Sequence, residues 1–339
     1  MKTTPKSQTE RLLELVKRFP KASVLVVGDF ILDEFIWGKV SRISPEAPVP
    51  VVNVDHESFL PGGSLNVANN IHTLGGTVYP CGMLGRDLEG RLLLRGIRKL
   101  GIDTGGVIQD RARPTTIKTR IIAHSQQVVR VDREKVHPLS PLDARKILQF
   151  VTKKIKEVDV IIIEDYGKGV IDPLVLSPLM KLAKQFRKPV LVDPKERHFS
   201  LYKGVTAITP NRQEAYGVFN ASSNGTQPDL EEVGRGLLKQ LNSQAVLVTL
   251  GEEGMALFEK DRRTAKIPTT AREVFDVSGA GDTVIAVFGL GIAVGASLRE
   301  AAVLSNLAAG IVVGKLGTAT IEPSELKQAI SSRKVSVDA

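Results

Sequence analysis

The chain of 339 residues has one cysteine, Cys81, and one tryptophan. One thiol cannot close an internal disulfide, so a reducing cytoplasm is the simplest setting. With five scattered histidines it assembles no zinc-type ligand set. No apolar run reaches the roughly 20 residues of a membrane span, and the N-terminal MKTTPKSQTE lacks the apolar core of a signal peptide. Aromatic residues make up 5% of the chain, few for base stacking. The 46 basic residues outnumber the 37 acidic ones, giving +9, yet they form no dense block. That excess reads as solvated surface with no nucleic-acid partner, and it suits small anionic substrates.

What is present is 42% hydrophobic and 24% charged residues, the balance of a soluble globular protein. TERLLELVKRF places Leu12, Leu15, Val16 and Phe19 on one helical face and stops at Pro20. Buried-strand runs follow: ASVLVVGDF, VDVIIIEDYG, PVLVDP, VTAITPN and AVLVTLGEEG. Helix-like segments such as DPLVLSPLMKLAKQF and DLEEVGRGLLKQL separate them, which predicts a parallel sheet with crossover helices. Two regions break the rhythm. GKVSRISPEAPVPVVNVDHESFL reads as short alternating pieces, and TTIKTRIIAHSQQVVRVDRE as an antiparallel hairpin. Together they predict a small β lid, from about 36–60 and 113–134, on a single domain over 1–330. Such a lid can exclude water from a site, form an edge extension or carry a homodimer contact. SSRKVSVDA, at 331–339, reads as a flexible tail.

The segment DVSGAGDTVIAVF sets three nearly side-chain-free residues, Gly279, Ala280 and Gly281, directly before Asp282 and an apolar run. AREVFDVSGAGD reads as a strand end, a glycine-rich turn and a helix starting near Gly281 or Asp282. The amides of such a turn, with the helix start, hold an anion. A carboxylate beside an anion site is repulsive unless it takes a proton from a hydroxyl that attacks the bound group. A lone Asp here would be a helix cap; the order strand, S-G-A-G-D, apolar helix favours the base.

DVSGAGDTVIAVF resembles the C-terminal signature of the ribokinase-like (PfkB) carbohydrate kinases, and PGGSLNVANNIHTLGGTVYPCGMLGRDLEG their N-terminal one. GDFILDEF, TPNRQE and VTLGEEG lie in order between and around them. The resemblance implies a three-layer α/β/α fold with a mostly parallel sheet and a small β-sheet lid. It also implies transfer of a phosphoryl group from ATP, with Mg2+, to a sugar hydroxyl. Asp282 would be the catalytic base, and Gly279, Ala280 and Gly281 the anion hole. TPNRQE carries Asn211, Arg212, Gln213 and Glu214 toward the ATP phosphates, with Glu214 acting on the metal through water. The same Asn211 and Glu214 also read as a capping box. Thr249, Gly251 and Gly254 would lie near ATP, with Asn306, in the last helix, near adenine.

For the acceptor, Asp33 is favoured over Asp29, and Gly62, Gly63 and Asn66 match the family's sugar-contact motif. SRISPEAPVPVV, QQVVRVDRE, EDYGKGV and VDPK are similar to the kinase domain of bacterial D-glycero-β-D-manno-heptose-7-phosphate kinases. That likeness implies phosphorylation of the anomeric hydroxyl on the way to ADP-heptose for lipopolysaccharide. Many relatives add a nucleotidyltransferase domain with H-x-G-H, which this sequence lacks, so it reads as a stand-alone kinase. A phosphorylated acceptor calls for cations. Arg130 and Lys168 are the first candidates, and Lys118 and Arg120 the weaker pair. Arg130 could instead pair with Asp132, and Lys195 could face either substrate or ATP. The rivals are another sugar kinase of the family and a non-catalytic nucleotide or sugar sensor.

Overall fold

The computed structural model describes residues 7–124, 126–220, 228–271 and 273–332. Helix α1 (Gln8–Arg18) begins with a capping box between Ser7 and Glu10 and buries Leu12, Leu15 and Val16. The strands that follow are β1 (Ser23–Gly28), β2 (Phe30–Ile43), β3 (Pro50–Gly63), β4 (Thr77–Gly85), β5 (Gly106–Asp110), β6 (Thr116–Ala123) and β7 (Gln126–Arg133). Then come β8 (Val160–Glu164), β9 (Val190–Asp193), β10 (Ala207–Ile208), β11 (Ala245–Thr249), β12 (Met255–Glu259) and β13 (Ala265–Ile267). The remaining helices are α2 (Ser64–Thr73), α3 (Leu88–Lys99), α4 (Pro141–Lys154), α5 (Pro173–Gln185), α6 (Arg212–Asn220), α7 (Leu230–Leu241), α8 (Ala280–Ala293), α9 (Leu298–Val312) and α10 (Pro323–Ser331).

Nine strands form one sheet in the order β13-β12-β11-β10-β9-β8-β1-β4-β5, parallel except at β12 and β13. Its central strands are apolar on both faces because helices cover both. Val24 and Val26 of β1 enter one core, with α2, α8 and α9, while Leu25 and Val27 enter the other, with α4, α5 and α7. β1 lies between β8 and β4, where the strand order reverses direction. Open α/β sheets bind ligands outside the carboxyl ends of the strands at such a point. Among the described residues no helix is long and apolar enough to cross a membrane.

A second sheet, β3-β2-β6-β7, stands apart from the first. Its first hairpin is longer than the sequence implies. In place of short pieces from about residue 36, β2 and β3 are continuous 14-residue strands paired antiparallel from Phe30–Gly63 to Ile43–Pro50. Irregularities at Trp37/Gly38 and Val40/Arg42 shift the register and interrupt the alternation that reading relied on. β6 and β7 form the expected antiparallel hairpin.

Two further expectations need correcting. Residues 273–278 form no strand before the glycine turn: the Phe275 and Asp276 amides donate to Val313 O instead of to a neighbouring strand. Asn306 sits on α9, and α10 is the last helix. The proposed tail is helical at Ser331, and 333–339 lie outside the described residues.

Candidate active site

Asp282 occupies the first turn of α8 and is 2% exposed. Gly279 is the residue before that helix, at φ 76°, a left-handed conformation that glycine adopts at little cost. A Cβ there would also lie 2.5 Å from Asn66 Nδ2. Close packing at Gly279 therefore lets Asn66, on α2, donate to Asp282 Oδ2 at 2.7 Å. The other carboxylate oxygen, Oδ1, accepts from the Tyr166 hydroxyl at 2.7 Å. Burial raises the Asp282 pKa to about 6, with these two hydrogen bonds pulling against it. A carboxylate so poised can accept a proton near neutral pH. Ala280 N–H donates to Val277 O at 3.2 Å. Gly281 and Asp282 follow it in the first turn, where helix amides lack intrahelical acceptors.

Tyr166 is placed by the turn after β8. Asp29, at the end of β1 and 1% exposed, accepts the backbone N–H groups of Tyr166, Lys168 and Val170 at 3.1, 2.8 and 3.0 Å. Gly167 and Gly169, at φ 68° and 98°, let the turn wrap this carboxylate. Asp29, the less favoured sugar candidate, is thus a structural anchor for the loop. Asp33 instead lies on β2, 4% exposed, with Oδ1 2.5 Å from Arg120 Nη1. Gly62 makes room for it, since a Cβ at that position would lie 2.2 Å from Asp33 Oδ2. Gly63, at φ 58°, starts α2.

Glu164, Asp193 and Asp282 offer carboxylate oxygens within 4.8 Å of one another. Glu164 and Asp193 end the adjacent parallel strands β8 and β9 in paired register. Burial raises both carboxyl pKa values, with repulsion from Asp193 and Asp282 adding to it at Glu164 and repulsion from Glu214 and Asp282 adding to it at Asp193. Glu164 Oε2 is buried without a hydrogen-bond partner. A cavity of about 230 Å³ joins this trio to Tyr166, Lys195, Asn211, Glu214, Thr249, Gly279 and Gly281. A larger groove of about 1030 Å³ lies elsewhere, lined by α5 and the start of α9 and containing none of these groups. The convergent carboxylates line the smaller cavity.

Around the cavity, Asn211 and Glu214 do form the capping box. Glu214 N–H donates to Asn211 Oδ1 at 2.9 Å, and Asn211 N–H to Glu214 Oε2 at 3.0 Å. Lys195 Nζ faces Glu214 Oε1 at 3.9 Å, which ties it to the Asn211–Glu214 side. Arg212 is paired with Glu253 at 2.5 Å, and Gln213 is exposed. Thr249 bridges to Asn211, while Gly251 and Gly254, at φ 63° and 94°, form the turn beyond it. Asn306 is 4% exposed and donates to Pro268 O at 2.7 Å, so it pins the loop after β13.

Of the proposed phosphate ligands, Arg130 is exposed and makes two hydrogen bonds to Asp132, at 2.9 and 3.1 Å. Lys168 is paired with Glu134 at 2.5 Å. The sequence reading missed Tyr166, Glu164 and Asp193. The acidic pair carried a signal: each is a carboxylate closing a buried strand, in VIIIE and VLVD. Tyr166 carried none, because its partner is 116 residues away.

Comparison with known proteins adds to this geometry. A family model described as pfkB family carbohydrate kinase matches residues 21–325. The chain is 44% identical over 324 residues, 96% of its length, to the bifunctional protein HldE of Desulfatibacillum aliphaticivorans. It is 44% identical over 319 residues, 94% of its length, to that of Geotalea uraniireducens strain Rf4. It spans only 66% and 65% of those two proteins. Among solved structures, ribokinase from Thermotoga maritima matches with TM-score 0.70 at 21% identity, over 91% of this chain and 99% of that one. Escherichia coli phosphofructokinase-2 in complex with potassium matches with TM-score 0.75 at 19% identity, over 92% and 98%. These likenesses establish a ribokinase-like α/β/α fold.

Proposed function

Since the chain belongs to the pfkB family of carbohydrate kinases and so transfers a phosphoryl group to a sugar hydroxyl, we propose that its acceptor is D-glycero-β-D-manno-heptose 7-phosphate. The product would be the 1,7-bisphosphate, on the way to ADP-heptose for lipopolysaccharide. The observation that carries the chemistry is Asp282, buried at the start of α8 with both oxygens held by Asn66 and Tyr166. The acceptor assignment is supported by the 44% identity to HldE proteins across nearly the whole chain.

In this reading Asp282 accepts the proton of the anomeric hydroxyl. The oxygen forms a bond to the γ-phosphorus of ATP, and the bond to the β–γ bridging oxygen breaks, its electron pair leaving with ADP. The amides of Gly279, Gly281 and Asp282 would face the transferring oxygens, assisted by the positive end of α8, while the Ala280 N–H is held by Val277 O. Asp33, Gly62, Gly63 and Asn66 shape the sugar side, and Asn66 also fixes the base. Asn211, Lys195, Thr249, Gly251 and Gly254 line the nucleotide side. The donor set at the cavity, all carboxylate oxygen with one buried and unpartnered, suits a hard cation such as Mg2+. Glu164 and Asp193 would hold it directly or through water, with Glu214 beside them, and it would neutralise charge on the phosphates.

The lid's outward face supports a homodimer. Phe59, Val129 and Val131 are 42%, 45% and 51% exposed, and Ile36, Ile121 and Val129 share a cross-strand row. Light scattering after gel filtration tests this, with a mass near twice 36.7 kDa expected. The catalytic reading is tested by ADP release from MgATP with the heptose phosphate beside ribose, fructose and fructose 6-phosphate. Saturable turnover with the heptose phosphate alone is expected; turnover with another acceptor alone would discard the heptose.

A further inference from the structure

The inner face of the lid carries an uneven set of charges. Cross-strand register aligns Asp33 of β2, Lys118 of β6 and Asp132 of β7 in one row, with Phe35, Arg120 and Arg130 in the next. Residues opposed in this way project to the same side of a sheet. Lys168 reaches this face from the turn after β8. Three of the four cations are already paired: Arg120 with Asp33, Arg130 with Asp132 and Lys168 with Glu134.

Lys118 differs. Its ammonium lies 4.8 Å from the centroid of the Tyr166 ring, and among the described residues no carboxylate comes within the 4 Å of an ion pair. It is half-buried, and that burial lowers its pKa, with Asp33 opposing and the nearby Lys168 reinforcing the shift. Lys118 lies over Tyr166 and feels the charge of Lys168, whose partner is Glu134, so two ammonium groups and one exchangeable carboxylate make up a receptor for a dianion. The geometry also gives this dianion a fixed relation to the chemistry, because Tyr166 bonds the Asp282 carboxylate.

We propose that Lys118 and Lys168 bind the phosphate that the acceptor itself carries, and that Glu134 is a resident counter-ion which this phosphate displaces from Lys168. The inference rests on the phosphorylated-acceptor reading above. It shifts the weight from Arg130, which Asp132 neutralises, to Lys118. Glu134 follows β7 directly, its side chain is 29% exposed, and it can turn to water without disturbing a core. Unphosphorylated sugars would leave Glu134 in place and Lys118 unmatched, so the site discriminates against them by an unmatched, half-buried charge as well as by lost contacts.

The test is steady-state kinetics with heptose 7-phosphate as the varied substrate, for the wild type and for Lys118→Gln, Lys118→Arg and Glu134→Gln. Inorganic phosphate serves as a competitive inhibitor against the acceptor. Removing one charge-assisted partner should raise KM about 10- to 100-fold in Lys118→Gln with a smaller effect on kcat, and Lys118→Arg should restore most of it. Inhibition by inorganic phosphate should weaken in parallel. Glu134→Gln should lower KM by up to about fivefold, the scale of a partly exposed ion pair. An unchanged KM in Lys118→Gln beside normal wild-type turnover overturns this inference alone. An unchanged KM in Glu134→Gln overturns the displacement. A wild type that uses only unphosphorylated sugars overturns the acceptor reading and this inference together.

Discussion

Replacing Tyr166 by Phe separates the position of the base from its protonation. The substitution removes one hydroxyl and leaves the ring against Lys118. What disappears is the 2.7 Å hydrogen bond to Asp282 Oδ1, which favours the ionised carboxylate. Burial then acts with less opposition, and the Asp282 pKa rises from about 6. A hydrogen bond to a charged group is worth about 1.5–3 kcal/mol, and 1.36 kcal/mol corresponds to one pH unit. The acidic limb of the pH profile of kcat/KM should therefore move upward by about one to two units. At pH 7 the loss in kcat/KM is then about two- to tenfold, and it should be recovered near pH 9 while nucleotide affinity stays unchanged. Initial rates at saturating MgATP across pH 5–9 read this directly. A limb that stays near pH 6, or a loss that is the same at every pH, would refute the argument that Tyr166 tunes Asp282.

Other substitutions test separate parts of the account. Asp282→Asn keeps the shape of the site but removes the proton acceptor, and kcat should fall by about 10²–10⁴ with ATP still bound in calorimetry. Gly62→Ala places a methyl 2.2 Å from Asp33 Oδ2. It should displace the carboxylate and loosen the Arg120 pair, and KM for the acceptor should rise while KM for ATP stays constant. Phe288→Ala, on α8 and fully buried between helices and sheet, should lower unfolding stability by about 3–5 kcal/mol in urea titrations.

Much of the fold was legible because periodicity reports burial. Val24 to Val27 read as a doubly buried strand and are one, and the α1 stripe packs as spaced. Local turn chemistry was equally direct: Asn211 and Glu214 cap α6 through the hydrogen bonds their three-residue spacing allows. The lid boundaries were not legible, since β2 and β3 shift register at two points and their alternation there carries no clean signal. Within the site, the Asp282 turn announced itself through its small residues. Its partners did not, because Asn66 and Tyr166 come from α2 and from the turn after β8, 216 and 116 residues away. The pairing of Arg130 with Asp132, two residues on, was foreseeable as an alternative. That Lys118 has no ion-pair partner among the described residues depends on four strands being assembled side by side, which no local pattern reports.

The position of the new phosphate tests the central claim most directly. Wild-type protein is incubated with MgATP and D-glycero-β-D-manno-heptose 7-phosphate, and the product is followed by phosphorus NMR with coupling to the sugar protons. The account predicts a second phosphorus signal coupled to the anomeric proton, growing as ADP appears, with the 7-phosphate signal retained. A phosphate coupled to any other sugar position, or ADP formed with no new sugar phosphate, would contradict it.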